Sequence, residues 1–271
     1  MNAPYAMSLA ALLFYGAAEI FSIAHMRWDK RMHGTVTTAL LVLGFLVHFA
    51  SLQVGGRMLH AVPYHDLPAS MSLFAWMIIG AYGVLALTHR ESSTGPFLLP
   101  LAILFMGASL LAHQTHMVAP DPRLSGRLFA FHVTIAIFGY SALSLSFVLA
   151  QLYLIQTRQL QRRTMGILFS RLPALDVLSR LHRTCVSYGV VALTIASILG
   201  LIWAKQNWGT YWDPKVLFTF LIIVIYLATL LAPRLGWGGK KVAYLSLGGF
   251  VLLMFSYTIV NLFLSLEHVF R

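Results

Sequence analysis

An all-α integral membrane protein, a bundle of about eight transmembrane helices with both termini on the outer side, is the fold class this sequence predicts. Three observations predict it. Of 271 residues, 59% are hydrophobic and 10% are charged, whereas a water-soluble domain has roughly a quarter of its residues charged. The apolar residues gather in runs of about 20, the length that crosses a bilayer as a helix. Lys and Arg fall between those runs, unevenly on alternate sides.

The runs place eight spans at about 4–25, 34–54, 69–89, 96–114, 128–156, 185–205, 214–233 and 241–266. The first reads as a span and not as a cleaved signal peptide, because no Lys or Arg precedes Arg27 and the apolar run is too long. The second carries His48 within it, and the fourth stops near His113 and His116. The fifth, the longest, opens near His132. The sixth opens on Cys185, a lone cysteine that reads as a packing residue rather than a reactive thiol. The seventh is announced by Asp213-Pro214, since Asp caps a helix well and Pro is harmless at the first helical position. The eighth follows Lys240 and Lys241. With no repeat, low-complexity stretch or soluble segment, residues 1–271 read as a single polytopic membrane domain.

Orientation follows from the basic residues. The first, third, fifth and seventh loops hold thirteen, six of them (Arg158, Arg162, Arg163, Arg171, Arg180 and Arg183) in the fifth. The other loops hold five: Arg57, Arg123, Arg127, Lys205 and Lys215. Positive charge stays inside, so the odd loops face the cytoplasm of a bacterial inner membrane and the sixth loop faces outward. The net charge of +11 is thereby a matter of topology, and nucleic acid is excluded as a partner in favour of the lipid bilayer. In the fifth loop, Gln159–Arg183 mixes these arginines with Leu168, Phe169, Leu172, Leu175, Leu178 and Leu181. That pattern predicts a short helix begun by Pro173, lying on the inner leaflet among anionic headgroups. A regulatory docking segment is the other reading.

The outward sixth loop reads Asn-Trp-Gly-Thr-Tyr-Trp-Asp-Pro-Lys over 207–215. An interfacial aromatic belt explains such rings in general. A belt spreads over several helix ends, however, while Trp208, Tyr211 and Trp212 share one loop, with Trp203 just inside. Such a group also makes a platform for a large flat apolar ligand, with Lys205 and Lys215 able to meet carboxylates at its rim.

Eleven histidines are the second anomaly. His25, His33, His89 and His182 fall at cytoplasmic helix ends or loops, where a solvated side chain is the default. His60 and His65 lie on the outer side. His113 and His116, three apart, either share a helical face for a transition metal or are simply solvated. His132 and His268 sit at the outer ends of their spans, at the depth of the aromatic loop. Two imidazoles beside an aromatic floor are what a haem needs, although a helix-end histidine is also ordinary at an interface.

Four segments together resemble one family. NWGTYWDPK resembles the tryptophan-rich WWD signature, roughly W-G-x-x-W-x-W-D, of haem-handling cytochrome c assembly proteins, which include the CcsA and CcmC types and the HemX and YpjD groups. FHVTIAIFGYSA (131–142) is similar to the family's segment bearing one outer haem-ligating His, here His132. GWGGKKVAYLSLGGF (236–250) looks like its Gly-Trp-Arg-Gly-basic approach to the last span, and VNLFLSLEH (260–268) like the segment with the second outer His, here His268. The resemblance covers about residues 35–270, with the WWD-like region at about 128–270. It departs in three places. Trp212 directly precedes Asp213, so one Trp and its spacer are missing. Val216 stands where many members have Glu. Ala228 stands where full synthases have an intramembrane His. His48 resembles the other intramembrane His, which implies contact with haem in transit; a helix–helix hydrogen bond is its alternative. Glu19 is likewise either a functional polar group or a helix-bonded carboxyl.

The resemblance implies haem b bound or passed at the outer face, for presentation to apocytochrome c or to other assembly proteins. In it His132 and His268 are the axial ligands of iron and Trp208, Tyr211 and Trp212 form the porphyrin floor. Lys215 lies near the propionates and Asp213 fixes the loop. No general base or nucleophile is evident, so the chain handles haem more than it catalyses, in the manner of the HemX or YpjD group. A transporter of a metal or small molecule around His48 and Glu19, and a haem-free regulatory scaffold, are the other classes.

Overall fold

A computed structural model describes residues 3–28, 30–59, 66–89, 93–112, 126–163, 166–208 and 214–256, without the side chains of Leu59, Ile167, Leu168, Trp208, Pro214 and Lys215. Among these residues every regular element is helical: α1 (Ala3–Trp28), α2 (Arg31–Leu59), α3 (Leu67–His89), α4 (Gly95–Ala112), α5 (Arg127–Arg162), α6 (Ile167–Arg171), α7 (Leu175–Trp208), α8 (Pro214–Leu231), a 3-10 turn (Ala232–Leu235) and α9 (Gly239–Phe255). Seven of the described helices, α1 to α5, α7 and α8, are long and apolar enough to cross a membrane. They match the first seven expected spans. The eighth, expected over 241–266, opens as α9 (to Phe255), and its part beyond residue 256 lies outside the described residues.

The physical reason that the described elements are all helical is the bilayer itself. Acyl chains offer no hydrogen bonds, so each backbone amide must be satisfied within its own segment. Hydroxyls obey the same rule. Ser141 and Ser144 on α5, and Thr194 and Ser197 on α7, donate to carbonyls four residues back at 2.7–2.8 Å. The outward surface carries many large apolar side chains: Leu87 and Leu111 are each 82% exposed, which suits lipid and not water.

The fifth loop departs from expectation. No leaflet-bound helix begins at Pro173. Instead α5 runs on to Arg162, α6 covers five residues, and α7 starts at Leu175, ten residues before the expected span. Burial explains it. Leu172, Leu178 and Leu181 are at most 7% exposed, packed into protein and not into a leaflet. Pro173 sits just outside the helix, where the amide of Leu178 bonds the Ala174 carbonyl at 3.0 Å. His182, expected in a solvated loop, therefore lies two turns inside α7 and is 6% exposed.

The chain divides into two compact units, residues 1–121 with 170–173, and residues 122–169 with 174–271. In the first, α1, α2, α3 and α4 pack together, and polar bonds tie neighbouring helices: Trp76 Nε1 donates to the Phe45 carbonyl at 3.1 Å while the two rings stack at 4.5 Å. In the second, α5 lies along α7, joined by α8 and α9, around Leu143, Val186, Val190, Leu193, Ile222, Tyr226 and Leu253. Its α5–α7 seam is built from reciprocal glycines. A Cβ at Gly189 would stand 2.5 Å from Leu143 Cδ2, and one at Gly139 would stand 3.0 Å from Leu193 Cδ2. Each helix thus offers a glycine to the other's leucine, the close approach that small residues permit in membranes.

Candidate functional site

His132 sits in the second turn of α5. That helix starts from Gly126, whose φ of 105° is open to glycine and strained for other residues. The imidazole is half-buried against α7. Its Nδ1 lies 2.7 Å from the Ala196 carbonyl oxygen. A carbonyl can only accept, so Nδ1 carries a proton. This is how proteins orient a metal-binding histidine: one nitrogen donates to a fixed acceptor while the other coordinates.

Gly200 makes that bond possible. It lies one turn beyond Ala196, and a Cβ there would stand 2.5 Å from His132 Cε1 and 2.7 Å from Nδ1. Any larger residue would expel the ring. Beside it, Phe129 approaches His132 at 6.1 Å between centroids and Trp203 at 4.6 Å. Phe129 and Trp203 are 6% and 4% exposed. The result is a packed aromatic wall from α5 and α7 behind one half-exposed imidazole. Sequence reading named His132 and Trp203 but missed Phe129, Ala196 and Gly200. The Phe129–His132 spacing of three residues was a readable hint that the rings share a helical face; nothing in the sequence pairs Gly200 with a histidine 68 positions earlier.

Trp208 closes α7, and the eight residues from Gly200 to it rise about 12 Å along the helix. Pro214 begins α8, as its pairing with Asp213 predicts, and Lys215 lies in the first turn. Tyr211, Trp212, Asp213 and His268 lie outside the described residues, as do His60, His65, His113 and His116. Among the described residues, no three His, Cys, Asp or Glu side chains gather as a metal site.

His48 has the opposite character. It is fully buried in the first unit, with Nδ1 3.2 Å from the Tyr15 hydroxyl and Nε2 2.9 Å from Ser72 Oγ. Ser72 Oγ also lies 3.8 Å from Met106 Sδ. One chain of polar contacts, through Tyr15, His48, Ser72 and Met106, links α1, α2, α3 and α4. Glu19 Oε2, also on α1, is buried without a hydrogen-bond partner among the described residues. Ala228 is exposed on α8.

The sequence profile of the family described as cytochrome C assembly protein matches residues 64–268. Among similar proteins, the cytochrome c biogenesis protein CcsA of Mesostigma viride is 27% identical over 96% of this chain and 92% of its own. Protein HemX of Brevibacillus brevis is 27% identical over 79% of this chain and 80% of its own. The cytochrome c biogenesis protein CcsA of Chlamydomonas reinhardtii is 31% identical over 84% of this chain and 64% of its own.

Proposed function

The chain belongs to the cytochrome c assembly protein family, and from that premise we propose that it serves cytochrome c maturation by binding and handing on haem b. The site is at the outer face of a bacterial inner membrane, and His132 and His268 are the axial ligands. Trp208, Tyr211 and Trp212 form the floor under the porphyrin, Lys215 meets its propionates, and Asp213 fixes the loop. One observation carries the reading. The Nδ1–H of His132 is spent on the Ala196 carbonyl in a gap that Gly200 keeps open. The donor chemistry suits haem iron, which takes a neutral imidazole nitrogen. The apolar wall of Phe129 and Trp203 suits the edge of a macrocycle.

The chain's own residues hold, orient and shield the cargo. Haem brings the vinyl groups that the cysteines of an apocytochrome c take up, and the protein presents them on the side where such cytochromes mature. The whole chain acts as a single membrane domain, with residues 128–270 as its haem-handling part. His48 touches haem only in transit, because both its nitrogens are engaged and contact requires those bonds to open. Together with alanine at position 228, this favours an accessory protein of the HemX or YpjD kind over a self-sufficient synthase. The test is the absorption spectrum of the purified full chain. We expect a Soret band that shifts on reduction; a colourless protein that takes up no added haem would sink the proposal.

A further inference from the structure

At the other end of the second unit is a cavity of about 270 Å³, several times the roughly 30 Å³ that a water molecule occupies in the liquid. Tyr153 of α5, Ser179 and His182 of α7, and Trp237 and Gly239 at the start of α9 line it. None of these residues belongs to the haem site, and the inference does not rest on it.

Two features point to a ligand. The first is the end of α9. Gly238 caps it with no side chain, and the earliest amides to bond its carbonyl are those of Lys241 and Val242, at 2.9 and 3.3 Å. The amides of Gly239 and Lys240 precede these and have no acceptor within the helix. Gly239 is on the cavity wall, and a Cβ there would collide with the Tyr153 hydroxyl, so glycine lets the phenol lie against the first turn. The second feature is independent. His182 is 6% exposed, lines the same cavity, and its Nε2 has no hydrogen-bond partner among the described residues. A buried polar nitrogen left unpaired is costly, and a ligand oxygen would satisfy it.

The surroundings choose the ligand's charge. Lys240 and Lys241 follow Gly239 directly, and Lys240 Nζ is held by Gln161 Oε1 at 2.6 Å. Asp176, the one acidic lining residue, has Arg180 Nη2 3.5 Å from its carboxylate, so its charge is countered. A helix N-terminus backed by cations is an anion site. The adjoining wall is apolar: Trp237, 46% exposed, is set there by a turn in which Gly236 adopts a φ of 77° and the Trp237 amide bonds the Ala232 carbonyl at 3.0 Å.

We propose that this cavity binds a phosphate group, with the α9 amides and His182 Nε2 around its oxygens and Trp237 against the apolar part of the molecule that carries it. The phosphate comes either from an anionic phospholipid headgroup or from solution, and one titration separates the two. The full chain in detergent is titrated calorimetrically with dihexanoylphosphatidylglycerol, with inorganic phosphate, and with dihexanoylglycerol, which keeps the chains and lacks the phosphate. We expect the phosphatidylglycerol to bind and His182→Leu to weaken it about tenfold, the loss of one hydrogen bond to a charged group. Gly239→Ala, which drives the Tyr153 hydroxyl out of its place, should weaken it too and serves if His182→Leu does not fold. Phosphatidylglycerol binding more tightly than inorganic phosphate assigns the site to lipid; equal affinity assigns it to a soluble phosphate. Equal binding of dihexanoylglycerol, no binding of either phosphate, or unchanged affinity in the folded variants overturns the proposal.

Discussion

Two histidines in this protein face the same problem, an imidazole within a lipid-embedded helix, and solve it differently. His48 gives both nitrogens to side chains of neighbouring helices and has no exposed surface. His132 gives Nδ1 to a backbone carbonyl and stays partly exposed. The first arrangement ties four helices together. The second, on the function proposed above, presents a ligand to iron. A histidine inside a span is thus not functional by its position alone; its exposure and the partners that orient it decide what it can do.

The widest contrast that can be tested is between the two faces of the membrane. If the His132 end lies outside, a reporter active only beyond the cytoplasm should work when inserted near Pro120 and be silent in the 158–183 segment. An active reporter in that segment would reverse the orientation and undo the outer assignment. Next comes the iron. His132→Ala or His268→Ala should remove most bound haem, and added imidazole should restore the spectrum by filling the vacated position. Trp208→Ala or Trp212→Ala removes stacking area, worth on the order of 1 kcal/mol per ring, which imidazole cannot replace. Equal rescue of both classes, in equal amounts of folded protein, would reduce the aromatic loop to an interfacial belt.

A subtler change probes the orientation of His132 while leaving the residue in place. Gly200→Ala puts a methyl group where the ring now lies, 2.5 Å from Cε1. Haem affinity should fall by about 10- to 100-fold, as when a metal ligand loses its orienting partner. Haem titration would measure it, and an unchanged affinity would mean that the Ala196 bond does not set the ligand. The smallest effect on haem belongs to His48→Ala. It breaks two interhelical bonds, worth about 0.6 kcal/mol each in membranes, so thermal stability should drop by about 1–2 kcal/mol while most haem stays bound. Complete loss of haem from that variant alone would move the main site to the first unit.

Much of this was legible in the sequence, and the rest was hidden for definite reasons. Seven helices were readable because a span needs a long apolar run and little else. The start of α7 was not. Arg180 and Arg183 interrupt the leucines, which gave 175–183 the look of a surface helix, although Leu178 and Leu181 continue the buried face of the same helix. His132 could be named from its place at a helix end and from family resemblance. Its orientation could not, since it depends on a carbonyl 64 residues away. The two readings of His48 were both visible beforehand, and the chain of contacts through Ser72 to Met106 exists only once four helices are assembled.

The reciprocal glycines of α5 and α7 have a mechanical consequence. Sliding one helix past the other by a turn, about 5.4 Å, would drive Leu143 and Leu193 out of the gaps at Gly189 and Gly139 and onto full side chains. The pair is therefore a strut of fixed length. Along it, the 21 residues from His132 to Tyr153 rise about 32 Å, close to the roughly 30 Å thickness of a bilayer's hydrocarbon. A thinner membrane cannot shorten such a strut and accommodates it by tilting it or by thickening around it. Lipid chain length thereby becomes a control on the tilt of the helix that carries the imidazole.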